Sequence, residues 1–193
     1  RSDPSPLAAF APTRFDDDLR ILGPGGVTLL RGTGDFEAET LNAAELGYRV
    51  QPLASVSLDA TVFRHDYDDL RSQDAPLTGI VPVTLGNTLD GRSHGVELAM
   101  NVQPIVWWRT HVSYTFLDTL VERQPLSRDV SGGTAETNDP DHMFALRSSL
   151  DLPGDVEVDA MWRAIGALPD PTLPGYSELT VRGGWLATPA LEV

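Results

Sequence analysis

Six stretches of this chain alternate apolar and polar residues with a period of two, and the apolar face carries no charge in any of them. Ala44, Leu46, Tyr48 and Val50 form the first, interleaved with Glu45 and Arg49. Val56, Leu58, Ala60 and Val62 form the second, and Val96, Leu98, Met100 and Val102 the third. Trp108, Thr110, Val112, Tyr114 and Phe116 come next, then Phe144, Leu146, Ser148, Leu150 and Leu152, then Val156, Val158, Ala160, Trp162 and Ala164. Successive side chains of a strand point to opposite faces, so the pattern requires strands with two unlike surroundings. The other parity collects the charge: Glu45, Arg49, Asp59, Glu97, Arg109, His111, Arg147, Asp151, Glu157, Asp159, Arg163, Glu178 and Arg182. Charged residues make up 22% of the chain, so a random draw would have placed several on the apolar face.

The connections alternate too. Pro52-Leu53-Ala54, Pro104-Ile105-Val106, Pro153-Gly154 and Thr188-Pro189 read as short joins, each with a proline that ends a ladder. Between them lie longer polar connections, at about Asp68 to Gly79, Asp118 to Pro140 and Gly166 to Pro174. Tight turns therefore belong at one end of an up-and-down meander and long loops at the other. Residues 1 to 39, with Pro4, Pro6, Pro12, Pro24 and the acidic run Asp16-Asp17-Asp18, read as a loop region in which Gly26 to Leu30 makes a short strand. Residues 40 to 193 read as the strands. Neither end has the marks of a natural terminus, which predicts an excerpt of a longer chain.

Two architectures show such alternation. A soluble sandwich buries the apolar face against a second sheet. A transmembrane barrel turns it to lipid and keeps a polar interior. Residues 80–103 and 106–120 alternate for at least the 9–11 residues that cross a bilayer at a tilt, and Trp107, Trp108 and Trp185 stand beside short turns, where an interfacial girdle sits. The predicted fold is therefore all-β, an antiparallel up-and-down transmembrane barrel present as a partial arc. A mean hydropathy of −0.15 speaks only against membrane helices.

Composition narrows the function classes. With 14 basic residues, all arginine, against 28 acidic ones, the net charge is −14, which argues against nucleic acid as a partner. The absence of cysteine removes disulfides, thiolate metal sites and cysteine nucleophiles together. No nucleophile elbow, zinc-protease motif or phosphate loop occurs, so neither an enzyme nor a cofactor or metal centre is expected. The four histidines, His65, His94, His111 and His142, are scattered.

Several segments together resemble the β-barrel of TonB-dependent outer-membrane receptors. Leu41 to Arg49 is similar to the strand after a long outer loop, and Leu58 to Leu70 to an ascending strand with an acidic and aromatic rim. Gly86-Asn87-Thr88-Leu89-Asp90-Gly91-Arg92-Ser93-His94-Gly95-Val96-Glu97-Leu98 resembles the family's descending pattern, in which Gly-Val-Glu enters the membrane. Trp107-Trp108-Arg109, Ser113 to Phe116 and His142 to Arg147 continue the likeness, which covers roughly residues 10 to 193. The resemblance implies a large plugged barrel in the outer membrane of a Gram-negative cell. It would take up a ferric siderophore, haem or cobalamin with energy from the inner-membrane TonB complex. The plug domain, the segment that engages the energising partner and the final strand have no counterpart here, where about seven strands and the start of another are represented.

Two sets of residues are the candidate sites. His65, Tyr67 and Asp69 share the interior parity at a strand end and are expected to meet ligand at the barrel mouth. Glu45, Arg49, Glu97, Arg109, His111, Arg147 and Asp151 are expected to form the charged lumen wall, in salt-bridge ladders or against the plug. The competing readings are a passive porin-like or small closed barrel, and a soluble secreted β-sheet protein that binds a partner.

Overall fold

The computed structural model describes residues 19–133, 137–169, 171–188 and 191–192, so Asp16 to Asp18, the opening prolines and Pro189 lie outside it. The elements are β1 (Arg20–Leu22), β2 (Thr28–Arg31), β3 (Thr40–Leu53), β4 (Val56–Asp74), β5 (Val83–Ile105), β6 (Trp108–Arg123), β7 (His142–Leu152), β8 (Val156–Ile165), β9 (Leu168–Pro169), β10 (Thr172–Leu173), β11 (Tyr176–Thr188) and β12 (Leu191–Glu192). Pro24–Gly26 is a single 3-10 turn. Pairing follows the chain from β3 through β4, β5, β6, β7 and β8 to β11 and β12, without a strand that joins the first to the last among the described residues. This is an open arc of an antiparallel meander, as the alternation predicts.

Short turns fall at Ala54–Ser55, Val106–Trp107 and Pro153–Asp155. Pro52 and Pro104 are therefore the penultimate residues of strands, and Trp107 lies within a turn. The longer connections start later than the sequence suggests. β4 continues to Asp74 and β6 to Arg123, so Arg71 to Asp74 and Val121 to Arg123 are strand. These stretches lack an apolar face, and polarity alone made them read as loop. Gly166 to Pro174 contains the β9–β10 pair, with Thr172 opposite Pro169. Within residues 1 to 39, β1 and β2 form an antiparallel pair, and β2 runs parallel to the start of β5 through Leu30 and Val83.

The chain divides into two compact units. The wall unit holds Ala44–Arg64, Ser93–Asp118 and the residues from Asn138 on; the loop unit holds the residues up to Ala43, His65–Arg92 and Thr119–Thr137. In the wall unit, directly opposed residues share a face. One row reads Val112, Leu146, Trp162 and Leu179, and is wholly apolar. The next row reads Ser113, Ala145, Arg163 and Glu178. The apolar rows are not packed away: Leu46 is 72% exposed, Leu179 65% and Val181 63%. The buried apolar residues among those described are Leu70, Leu85 and Leu89, all in the loop unit. A sandwich would bury its apolar face under a second sheet. A single sheet with one face apolar and exposed needs a solvent that is itself apolar.

The loop unit is held by polar contacts around those three leucines. The side chains of Ser72 and Thr88 each donate to the buried Asp74 at 2.9 Å, and Thr88 shares a 2.7 Å hydrogen bond with Ser127. Room for Asp74 comes from Gly86, where an added Cβ would lie 2.6 Å from its Oδ2. Gln124 to Ser127 makes a tight turn closed by the Ser127 N–H on the Gln124 carbonyl at 3.0 Å. Pro125 and Leu126 occupy its centre, with Leu126 at φ 71° as in a type II turn. Glycine or asparagine is the usual residue there, and for leucine the conformation costs about 1–2 kcal/mol.

Candidate ligand-contact cluster and polar wall

The first candidate site starts at the middle of β4 rather than at a strand end as the sequence suggests, because β4 runs on to Asp74. His65 and Tyr67 on β4 meet edge to face, with ring centroids 6.2 Å apart. Asp69 follows with φ 60°, so the strict alternation breaks at this residue. Its carboxylate accepts from Gln124 Nε2 at 3.2 Å, its carbonyl accepts from Asn87 Nδ2 at 2.7 Å, and its N–H donates to Asp90 at 3.3 Å. The same Gln124 amide also donates to Asp90 at 2.8 Å. Asp66 pairs with Arg92 at 3.2 Å, and Asn42 donates to Asp68 at 3.5 Å. The structure thus places His65, Tyr67 and Asp69 in one unit, with Asp69 fixed from three sides. Gln124 escaped the sequence reading, because no spacing relates a loop glutamine to a strand carboxylate, and Asn87 and Asp90 were read there only as part of the Gly86 to Leu98 stretch and not as partners of Asp69.

A latch lies alongside. Asp129, whose side chain is fully buried, accepts from the Gln73 N–H at 2.7 Å, the Ser131 hydroxyl at 2.8 Å and the Gly132 N–H at 2.6 Å. Arg128 and Val130 add backbone bonds to Ala75 and Gln73, at 3.0 and 2.9 Å. Burial pushes the Asp129 carboxyl up, but these hydrogen bonds to its charged form outweigh burial and hold it below the ordinary carboxylate value. The folded value lies below the unfolded one, so the stabilisation is complete above about pH 4 and is lost as pH falls through the folded value. Hydrogen exchange at Gln73, Val130 and Gly132 is expected to show protection at neutral pH and local opening on acidification. Asp129→Asn is expected to open the latch already at pH 7. Equal protection of these amides in the variant would exclude the latch.

The wall residues lie together on the polar face of the wall unit. Arg109 grips Asp151 through both terminal nitrogens, at 2.7 and 3.0 Å. Arg49 pairs with Asp59, its Nε donating at 2.6 Å. His111 bonds Asn101 at 2.8 Å, and Asn101 in turn donates to Ser57 at 3.3 Å, which links β6, β5 and β4. Asp159 collects the Ser149 hydroxyl at 2.6 Å and Arg182 at 3.0 Å, and Arg147 stands 3.8 Å away. Arg163 pairs with Glu178 at 2.9 Å through Nε. Arg147 therefore finds its anion in Asp159, and its strand-pair neighbours are His111 and Met161. The polar side chains edge a cavity of about 540 Å³, with Gln51, Ser57, Gln103, Arg109 and Asp159 among its walls. The arginines of these pairs stand largely in solvent, which screens the pairs and leaves them little weight in stability. Their value is a wet, patterned surface rather than stability. Ser57, Asn101 and Ser149 were legible as polar-parity positions; as uncharged residues they gave the weaker signal.

The apolar face ends in aromatic rows. Trp108, donating to Ser148 at 3.0 Å, and Trp185, opposite Val156, stand near the short turns. Toward the long connections Phe116 packs on His142 at 5.3 Å, and Tyr114 stacks on the same imidazole at 6.1 Å and bonds it at 2.8 Å. Two aromatic girdles flanking an apolar band are how a barrel marks its two interfaces.

Known proteins share this construction. A family model described as the TonB-dependent receptor-like β-barrel matches residues 4–191. Solved structures with the same fold include the ferric-catecholate import receptor Fiu of Escherichia coli K12, at TM-score 0.61 and 20% identity over 80% of this chain. The FrpB iron transporter of Neisseria meningitidis aligns at TM-score 0.67 and 12% identity over 81%. The ferric yersiniabactin uptake receptor FyuA of Yersinia pestis aligns at 0.57 and 18% over 79%. The chain spans about a quarter of the length of these proteins, 22%, 26% and 23% respectively. A search of curated proteins returns no match. With its charge-free outer face, polar inner face, girdles and alternating turn lengths, the chain belongs to the family of TonB-dependent receptor β-barrels.

Proposed function

We propose that this chain is the wall and part of the mouth of an outer-membrane receptor that imports a scarce ligand, a ferric siderophore, haem or cobalamin. The observation that carries the reading is the pairing of an exposed, charge-free apolar face with an opposite face laced by ion pairs. The apolar face meets lipid. The polar face, with Arg109, His111, Arg147 and Asp151, lines an interior where a plug domain sits, and Glu45, Arg49 and Glu97 extend that wall. His65, Tyr67 and Asp69 meet ligand at the mouth. Release of the plug by the inner-membrane TonB complex then admits the ligand. The relatives' activities agree in kind: Fiu, FrpB and FyuA are named for iron import, and a copper transporter, OprC, shares the fold at TM-score 0.58.

Uptake by cells that carry the full-length receptor tests this, with a radiolabelled ferric hydroxamate, a ferric catecholate, haem and cobalamin supplied in turn. One of them is expected to accumulate in the wild type and not after collapse of the proton-motive force. Energy-independent uptake would favour a passive porin-like barrel, and recovery of the protein in the soluble periplasm would exclude both. Tyr67→Ala and Asp69→Ala are expected to weaken binding of the accumulated compound by about tenfold, the loss of roughly 1.4 kcal/mol of contact each. Unchanged affinity in both would move the ligand site elsewhere.

A further inference from the structure

Leu126 stands out in the loop unit. The residue is 97% exposed, its φ is 71°, and a glycine in its place would relieve the conformation. The turn is not free to relax, because both ends are tied down. Before the apex, the Gln124 N–H donates to the Thr88 carbonyl at 3.0 Å, and the Gln124 amide spans Asp69 and Asp90. After it, Ser127 bonds Thr88 at 2.7 Å, and Asp129 is clasped by Gln73 and Gly132. The fold holds an apolar side chain out, in an unfavourable backbone conformation, two residues from the group that fixes Asp69.

We infer that Leu126 is a specificity-determining contact of the ligand site, and that it meets an apolar surface on the imported complex. This rests on the proposed reading that His65, Tyr67 and Asp69 face the ligand. A pre-positioned apolar contact contributes affinity without an ordering penalty on binding, because the turn is fixed beforehand. The carboxylates of Asp69 and Asp90, both held on the Gln124 amide, disfavour a polyanion, so the complex that fits is uncharged or cationic.

Leu126→Gly and Leu126→Asn in the full-length receptor separate recognition from folding, since both residues accept a positive φ. Binding is measured with an uncharged ferric tris-hydroxamate, a trianionic ferric tris-catecholate, haemin and cyanocobalamin. Each variant is expected to lose at least tenfold in affinity for an uncharged complex that the wild type binds, with a thermal midpoint unchanged or raised. Equal affinity in wild type and variants would overturn the inference, and so would a wild-type preference for the trianion. A lowered thermal midpoint in both variants would overturn it as well, by showing that Leu126 packs against another part of the receptor. Failure of the wild type to bind any of the four would overturn the import reading itself, a result distinct from these.

Discussion

Gly95→Val is expected to leave little or no folded barrel when the full-length receptor is refolded and read by heat-modifiable electrophoretic mobility. Gly95 is buried on β5, and an added Cβ would collide with the backbone carbonyl of Phe116 and lie 2.6 Å from Phe63 Cζ. A carbonyl already placed in a ladder cannot swing aside, so strands must separate locally. Overpacking of a tight interior commonly costs about 1–3 kcal/mol, and a fixed backbone neighbour puts this case at or beyond the upper end. Gly183 on β11 is the matched control, with nothing within 4 Å of its virtual Cβ. Gly183→Ala is expected to fold as well as the wild type, or better by up to about 1 kcal/mol, because a strand glycine carries an entropy cost. Equal folding yields for Gly95→Val and wild type would show that the β5–β6 approach is looser than described.

Leu146→Arg is expected to destabilise the barrel by about 2–4 kcal/mol, the cost of an arginine on the lipid face near mid-membrane. Leu146 occupies the centre of the apolar row, between Val112 and Trp162. Ser113→Arg, one position along from Val112 on the polar face, is expected to cost clearly less, because that face is wet and already carries Arg163 in the same row. The contrast is the informative quantity, because in a soluble sheet with both faces wet the two would cost the same. Chemical denaturation of the barrel in lipid vesicles supplies both values.

The fold was legible wherever the bilayer imposes a rule. Lipid tolerates no charge and no unpaired backbone, so the strands that cross it must alternate and must be long. Val112, Leu146 and Trp162 fell on the predicted face for that reason. Beyond the apolar band the rule lapses, and there the reading failed first. Arg71 to Asp74 and Val121 to Arg123 are strand, yet they lie past the stretches that alternate and their charges made them look like loop.

The candidate sites divide along the same line. The salt bridge of Arg109 with Asp151 follows from parity, since both residues sit on the polar face of adjacent strands. Asp129 and Gln124 could not be found in that way. Their partners lie 56 residues away at Gln73 and 55 away at Asp69, and only the folded loop brings them together. Asp69 was chosen by its parity with His65 and Tyr67, whereas the structure holds it at a positive φ, where parity no longer orients a side chain.

The central claim is that the apolar parity faces lipid and the polar parity faces water in the assembled receptor. This chain contains no cysteine, so once any cysteine elsewhere in the full-length protein is replaced by serine, single cysteines placed along β7 from Met143 to Asp151 can each carry one spin label after reconstitution. Collision with dissolved oxygen, which partitions into lipid, is expected to peak at positions 144, 146, 148 and 150. Collision with a water-soluble nickel chelate is expected to peak at 145, 147, 149 and 151. Two interleaved profiles of period two would sustain the account, and a profile without alternation, or with water on both faces, would contradict it.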